Sequence, residues 1–218
     1  MVEIEVCYAY IGLGNPRPIA PMSLRGYLGY LFIEDTEFHH HSESSYHYPL
    51  VQYKRVNKRL LVMGLQDYAE MVYRKMPDVA QVATPEGQIP IVSLELVRDR
   101  FIIAQTNEGT EPFRRYRFAT PWIALNNANY LKFHESKRGR KEMLQKILVG
   151  NILSMLKGLG VYLEFQVKLN VDSYETVKVT AHDNQFVGFR AVFETNISLP
   201  QYLGLGKSVS KGFGAIST

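Results

Sequence analysis

The order in which strand-like and helix-like apolar patterns follow one another constrains the fold of this chain most strongly. In the first hundred residues these patterns alternate as β-α-β-β-α-β, which is the order of one ferredoxin-like unit. The pair Asn57-Lys58 between two of the strand-like runs is a hairpin signal. The predicted strands span 2–11, 49–56, 59–63 and 89–104, and the predicted helices span 19–33 and 66–76.

The second half of the chain carries a further mixture of helices and strands. A polar stretch over 105–112 is the predicted linker, and a basic, aromatic run over 113–118 follows it. We therefore expect an α+β protein of two tandem ferredoxin-like, or RRM-like, domains over 1–110 and 111–218. The later predicted helices span 126–133 and 140–157, and the later predicted strands span 162–171, 175–181 and 185–197.

Composition narrows the class of protein. The chain has 218 residues, of which 46% are hydrophobic, so a substantial core can be buried. A formal charge of +4 with a pI near 9.0 suits an anionic partner if the basic residues cluster. The single cysteine, Cys7, excludes a disulfide framework and a cysteine metal site. Because Glu3 and Glu5 interrupt the N-terminal stretch and no apolar run reaches about 18 residues, we expect a cytoplasmic protein without a membrane partner.

A glycine-rich run, GLGKSVSKGFG over 204–214, lies close to the C-terminus. Glycine lets a backbone approach a ligand closely, and the N–H groups, lysines and hydroxyls of such a run suit phosphate oxygens. The run is neither a P-loop, which needs glycine where Gln201 stands, nor a dinucleotide fingerprint, which needs glycine where Val209 stands. In a basic chain it indicates a polynucleotide backbone as ligand. The alternative is a glycine-rich hairpin with solvated lysines.

Three consecutive histidines, His39, His40 and His41, follow the first predicted helix. In an extended stretch His39 and His41 point to one side and His40 to the other. Two imidazoles on one side can act as general base and general acid, because histidine titrates near neutrality. A metal site and a solvated polar loop are the alternatives.

Aromatic and basic residues elsewhere favour an anionic ligand. In the strand-like run after the histidines, Gln52 and Lys54 share one face and Tyr53 lies on the other. Tyrosines such as Tyr48 can stack on bases or donate a hydrogen bond to a phosphate. Positive charge at the start of a helix is unfavourable with the helix dipole. The basic cluster over 137–141, at the start of a predicted helix, therefore indicates binding of an anionic ligand.

Four stretches together resemble a known family. They are LRGYLGYLF with the following HHH, YHYPLVQYKRVNKRLLVMGL, TPWIALNNANY, and KILVGNILSMLKGLG leading to YLGLGKSVSKGFG. In this order and spacing they resemble the precursor-crRNA processing endoribonucleases of the repeat-associated RNA-binding superfamily, in the form found with subtype I-B CRISPR systems. The resemblance covers nearly the whole chain.

The resemblance implies a metal-independent ribonuclease of two ferredoxin-like domains that uses no cofactor. It implies that the chain binds CRISPR repeat RNA and cuts precursor crRNA once per repeat, by attack of a ribose 2′-OH that leaves a 2′,3′-cyclic phosphate. Other subunits of a subtype I-B effector complex and a second copy of the chain are the further partners it suggests.

The resemblance also assigns roles to individual residues. A His-x-His pair of the family corresponds to His39 and His41, with His40 as the alternative register, and a family tyrosine corresponds to Tyr48. A lysine that relatives use near the site is absent from the first helix here, so Arg25 or Lys54 takes that place as phosphate partner. The residues implied to hold the RNA backbone are Lys207, Ser208 and Lys211.

Two other classes of function compete with this reading. One is a non-catalytic RNA-binding subunit of an effector complex, with the same folds and no cleavage. The other is a metal-dependent nuclease, for which the only carboxylates near the histidines are Glu34, Asp35, Glu37 and Glu43.

Overall fold

A computed structural model describes residues 2–14, 19–32, 47–104, 112–135, 137–181 and 184–218. It divides the chain into two compact units. The N-terminal unit holds Glu3–Phe101 together with Val209–Gly212, and the C-terminal unit holds Ile102–Ser208 and Phe213–Thr218. Four residues of the glycine-rich run therefore belong with the N-terminal unit, although they lie near the end of the chain.

In its described residues, the N-terminal unit has a five-stranded sheet and two α-helices. Along the chain its elements are β1 (Val2–Leu13), α1 (Pro21–Leu31), β2 (Val51–Val56), β3 (Arg59–Leu65), α2 (Asp67–Lys75), β4 (Gln81–Thr84) and β5 (Gly87–Ala104). Among the described residues the sheet order is β2-β3-β1-β5-β4, which places β2 at an edge. Without β4 the succession is the predicted β-α-β-β-α-β, and the ferredoxin-like prediction is confirmed.

The short strand β4 is absent from the sequence prediction. It pairs only with the first residues of β5, from Thr84 opposite Gly87 to Gln81 opposite Pro90. Four residues are too few for an alternation of apolar and polar side chains to be recognised in the sequence. β4 is held in the sheet by its hairpin with β5, which Gly87 closes with a φ of 130°.

The β2–β3 hairpin is confirmed at the predicted turn. Val56 lies opposite Arg59, and the two residues between them, Asn57 and Lys58, have φ values of 49° and 65°. Two successive left-handed residues are the signature of a type I′ turn, whose twist matches that of the flanking strands. The turn fixes the register of β2, and the register fixes which side chains share each of its faces.

The two faces of β2 have different neighbours. Val51 and Tyr53 join a hydrophobic cluster with Leu24 and Leu28 of α1 and residues of α2. Gln52 and Lys54 alternate onto the opposite face, and both are fully buried as well. Polar side chains are thus enclosed on the face that the two helices do not cover.

The C-terminal unit has a four-stranded sheet. Its elements are β6 (Arg114–Phe118), α3 (Asn127–Glu135), α4 (Arg140–Gly158), β7 (Leu169–Ala181), β8 (Asn184–Thr195) and β9 (Ile216–Ser217). The strand order is β7-β8-β6-β9. The predicted periodicity of α4 is confirmed, because residues three and four apart along it are buried. Among the described helices none is long and apolar enough to cross a membrane.

The sequence prediction of two separate strands over 162–171 and 175–181 is wrong. The structure has one strand, β7, which pairs with β8 along its length and carries a register shift between Val171 and Ser173. Asp172 and Ser173 disfavour strands, but a bulge absorbs one extra residue and lets the pairing continue on both sides. Residues 162–168 form no strand.

Candidate functional site

A buried tyrosine and a buried glutamine are joined at the start of β2. Tyr48 is only 7% exposed, and Gln52, four residues later, is fully buried. Gln52 Nε2 donates to the Tyr48 hydroxyl oxygen at 2.8 Å and to the Pro49 carbonyl at 3.0 Å. Because a phenol that accepts one hydrogen bond still carries its own proton, the pair fixes the orientation of Tyr48 as a hydrogen-bond donor.

Lys54 lies two residues farther along the same face of β2. Its side chain is 0% exposed, and its Nζ donates to the carbonyl oxygen of Val209 at 2.7 Å. Burial lowers the pKa of the Lys54 ammonium from its ordinary 10.5 to about 7, because desolvation penalises the charged form. The prediction that Lys54 contacts a phosphate remains a prediction, since this short bond is made to the protein backbone.

Val209 opens a short 3-10 helix, Val209–Lys211, in the middle of the glycine-rich run. Val209 itself is 1% exposed. Gly212 ends the segment with a φ of 102°, and a Cβ placed there would lie 2.8 Å from Cγ of Pro21, the first residue of α1. The segment is therefore seated against α1 so closely that only glycine fits at its end.

The 3-10 helix Val209–Lys211 packs against α1, which carries Arg25. Burial, and after it the charge of Arg25, lowers the pKa of the Lys211 ammonium. Two cations that are held together offer a phosphate more attraction than either alone. The structure thus brings together two residues that the sequence predicted as phosphate partners.

Arg25 also lies near the hydroxyl of Tyr53, on the helix-covered face of β2. Burial raises the pKa of this hydroxyl, and the Arg25 charge opposes the rise. Within the described part of the chain, the Tyr53 hydroxyl is buried and has no hydrogen-bond partner. The charge of Arg25 therefore acts on the Tyr53 hydroxyl as well as on Lys211.

The other predicted backbone contacts belong to the C-terminal unit. Lys207 is exposed, its N–H donates to the Ile123 carbonyl at 3.1 Å, and its Nζ donates to the Leu125 carbonyl at 3.0 Å. Ser208 has a φ of 57°. An ammonium has three donors, so the bond to Leu125 is compatible with a phosphate contact.

One glycine of the run serves the protein's own packing. Gly206 has a φ of 96°, and a Cβ there would lie 2.6 Å from the indole of Trp122. Trp122 is fully buried, stacks on Phe118 and donates from Nε1 to Asn151 at 3.0 Å. The sequence predicts that the glycines of this run let the backbone approach a ligand. At Gly206 the backbone instead approaches the indole ring of Trp122.

The predicted catalytic histidines His39 and His41, and the alternative His40, lie outside the described residues. Over the described ranges, no three histidine, cysteine, aspartate or glutamate side chains come together as metal ligands would. Gln52 is the residue whose role sequence reasoning missed. The alternation of side chains along a strand predicts that Gln52 shares a face with Lys54. The hydrogen bond from Gln52 to Tyr48 could not be predicted, because it depends on the path of the backbone just before β2.

Comparison with known proteins agrees with this architecture. Sequence models of the Cas6b N-terminal domain and the Cas6b C-terminal domain match residues 5–102 and 108–218. An uncharacterized protein of Methanocaldococcus jannaschii, MJ0978, is 48% identical over 103 residues, which are 47% of this chain and 70% of that protein.

Solved structures are similar over the full length. A crystal structure of Cas6b has a TM-score of 0.86 at 30% identity and covers 99% of both chains. A crystal structure of the CRISPR RNA processing endoribonuclease Cas6b has a TM-score of 0.75 at 28% identity, covering 99% of this chain and 98% of that one. A Cas6 product complex with a TM-score of 0.57 at 14% identity shares the fold. Because the two domain models match both halves of the chain in order, it belongs to the Cas6b family.

Proposed function

We propose that this chain is a CRISPR RNA processing endoribonuclease, which binds the repeat RNA of a precursor transcript and cuts it within the repeat. The observation that carries the proposal is the full-length likeness, at 28% identity, to a solved endoribonuclease of this kind. The match extends through both domains, so it includes the glycine-rich run as well as the β2 strand.

The proposed reaction needs no metal, because side chains can supply each of its parts. A base removes the proton of a ribose 2′-OH, and the 2′-oxygen forms a bond to the adjacent phosphorus. The bond from phosphorus to the 5′-oxygen breaks, and an acid gives that oxygen a proton. The products are a 2′,3′-cyclic phosphate and a 5′-hydroxyl, and His39 and His41 are the proposed base and acid.

The described residues would support this reaction through the phosphate. The hydroxyl of Tyr48, oriented by Gln52, is proposed to donate to a phosphate oxygen or to orient a histidine. Arg25 and Lys211 are proposed to neutralise charge on a phosphate of the bound RNA, and Lys207 and Ser208 to hold the backbone. The enclosed position of Lys54 favours an indirect role, in which it acts through the protein backbone.

A cleavage assay with the cognate repeat RNA tests the proposal. We expect cutting in excess EDTA, with products that carry a 2′,3′-cyclic phosphate. Once the cut site is mapped by sequencing the products, an RNA with 2′-deoxyribose at that position should bind and remain intact, because its nucleophile is missing.

Each outcome of this assay separates the competing functions. A strict requirement for added divalent metal would indicate a metal-dependent nuclease, and cutting of the 2′-deoxy RNA would exclude attack by the 2′-OH. Tight binding with no cutting at all would indicate a non-catalytic RNA-binding subunit.

A further inference from the structure

We propose that Lys54 is a positioning residue, which anchors Val209–Gly212 to β2 so that Lys211 stands beside Arg25 as one two-cation phosphate site. The proposal rests on the proposed function for the identity of the ligand, which is a phosphate of the repeat RNA. The anchoring itself is a property of the free protein.

The contact of Lys54 carries the first step. A lysine that is 0% exposed would be costly to bury without a good acceptor, and its Nζ reaches the Val209 carbonyl at 2.7 Å. The protonated and the neutral amine both carry N–H groups that can donate to this carbonyl, so the bond is available in either state. An apolar side chain would be easier to bury at this position. We therefore infer that the role of the Lys54 amine is to donate the hydrogen bond to the Val209 carbonyl.

The seating of the segment carries the second step. The Val209 carbonyl opens the 3-10 helix, and Gly212 ends the segment in close contact with Pro21. β2 is an edge strand, so no further strand of the sheet lies on its outer side within the described residues. The segment is therefore held at one end by β2 through Lys54 and at the other by the start of α1.

The position of Lys211 carries the third step. It lies between these two attachment points, in the 3-10 helix Val209–Lys211, which packs against α1. Arg25 lies on α1 one helical turn after Pro21, and its charge acts on Lys211. The attachment of the segment to β2 through Lys54 is one of the contacts that fix where Lys211 lies. If the anchor is released, we expect the segment to move away and the attraction of the pair for a phosphate to fall.

Lys54→Met tests the anchor, because methionine keeps an unbranched side chain of similar length without a donor. Lys146→Met is the matched control, since Lys146 is exposed on α4. In the free protein we expect faster amide hydrogen exchange over 209–212 in Lys54→Met and wild-type exchange in the control. Unchanged exchange in Lys54→Met would overturn the proposal.

A double-mutant cycle tests the consequence for RNA. We expect Lys54→Met and Lys211→Ala each to raise the Kd for the 2′-deoxy repeat RNA by about tenfold, the size of one lost charged contact. Together they should raise it little more than either alone, because Lys211 is already displaced when the anchor is lost. Independent, multiplying effects would mean that Lys54 acts on the RNA by itself, and the proposal would be wrong.

A measurement on the wild-type protein decides the matter if Lys54→Met does not fold. With lysine labelled at Nζ with ¹⁵N, the Lys54 signal should show contact to Val209 and protection from solvent, both without RNA and with it. Loss of that contact when the 2′-deoxy repeat RNA binds would show that Lys54 moves to the ligand, against the proposal. A wild-type protein that binds no repeat RNA would refute the proposed function, while the exchange data would still test the anchor.

Discussion

The buried ammonium of Lys54 makes a quantitative prediction about the pH dependence of folding. Its pKa is about 7 in the folded protein and about 10.5 when the chain is unfolded and the amine is in water. Between these two values the unfolded chain holds more protons than the folded one, so raising the pH favours the folded state. Replacing Lys54 by methionine removes this contribution and leaves the titration of other groups in place.

The magnitude follows from the two pKa values. With one extra proton on the unfolded state, the free energy of unfolding rises by up to about 1.4 kcal/mol per pH unit. Summed from pH 7 to pH 9, the gain is about 2 kcal/mol, because the folded amine is half protonated at the lower limit. The lost bond to Val209 costs Lys54→Met roughly 1–3 kcal/mol at every pH, so it shifts the difference between the proteins without changing its slope.

Urea unfolding followed by far-ultraviolet circular dichroism at pH 7, 8 and 9 measures this slope. We expect the stability of the wild type, relative to Lys54→Met, to increase by about 2 kcal/mol over that range. Lys146→Met, which alters an exposed lysine, should show no such increase. A difference between wild type and Lys54→Met that stays flat or falls with pH would refute the reasoning, because it would mean that the buried amine keeps its ordinary affinity for protons.

Further predictions concern cleavage, binding and stability. His39→Ala or His41→Ala should slow single-turnover cleavage by roughly 10²–10⁴-fold with little change in Kd, as expected for a lost proton-transfer group; an effect confined to His40→Ala would move the register by one. Lys207→Ala with Lys211→Ala should flatten the slope of log Kd against log salt by about 1.4, at about 0.7 for each lost contact on single-stranded nucleic acid; an unchanged slope would make the run a structural turn only. Gln52→Leu should lower the free energy of unfolding by about 1–3 kcal/mol, because the Pro49 carbonyl and the Tyr48 hydroxyl lose their donor; urea unfolding at pH 7 measures it, and an unchanged midpoint would show that both groups find other partners.

The local features of the fold could be predicted from the sequence. Helical periodicity identified α4, and the pair Asn57-Lys58 identified the β2–β3 turn, because both depend on residues close together in the chain. The split of β7 into two strands failed for the opposite reason. The continuity of β7 depends on its pairing with β8, which is distant information that the local pattern does not contain. Judged from neighbouring residues alone, Asp172-Ser173 predicts the end of a strand, whereas the structure has a bulge there.

The candidate site was only partly predictable. The motifs and their order indicated the family, and they named Arg25, Tyr48 and Lys211 as residues to test. Alternation placed Gln52 and Lys54 on one face of a strand, but it carries no information on what that face meets. Burial of an amine and of an amide depends on neighbours that are distant in sequence.

The sequence by itself determined the α+β class, the succession of strands and helices, and the family, since these depend on short-range patterns and motif order. The tertiary structure alone decided that Lys54 bonds to a carbonyl 155 residues away, and that Gly212 seats against the start of α1. The physical reason is that a periodic pattern specifies which way a side chain points, whereas its partner, its burial and its pKa are set by packing between distant segments of the chain.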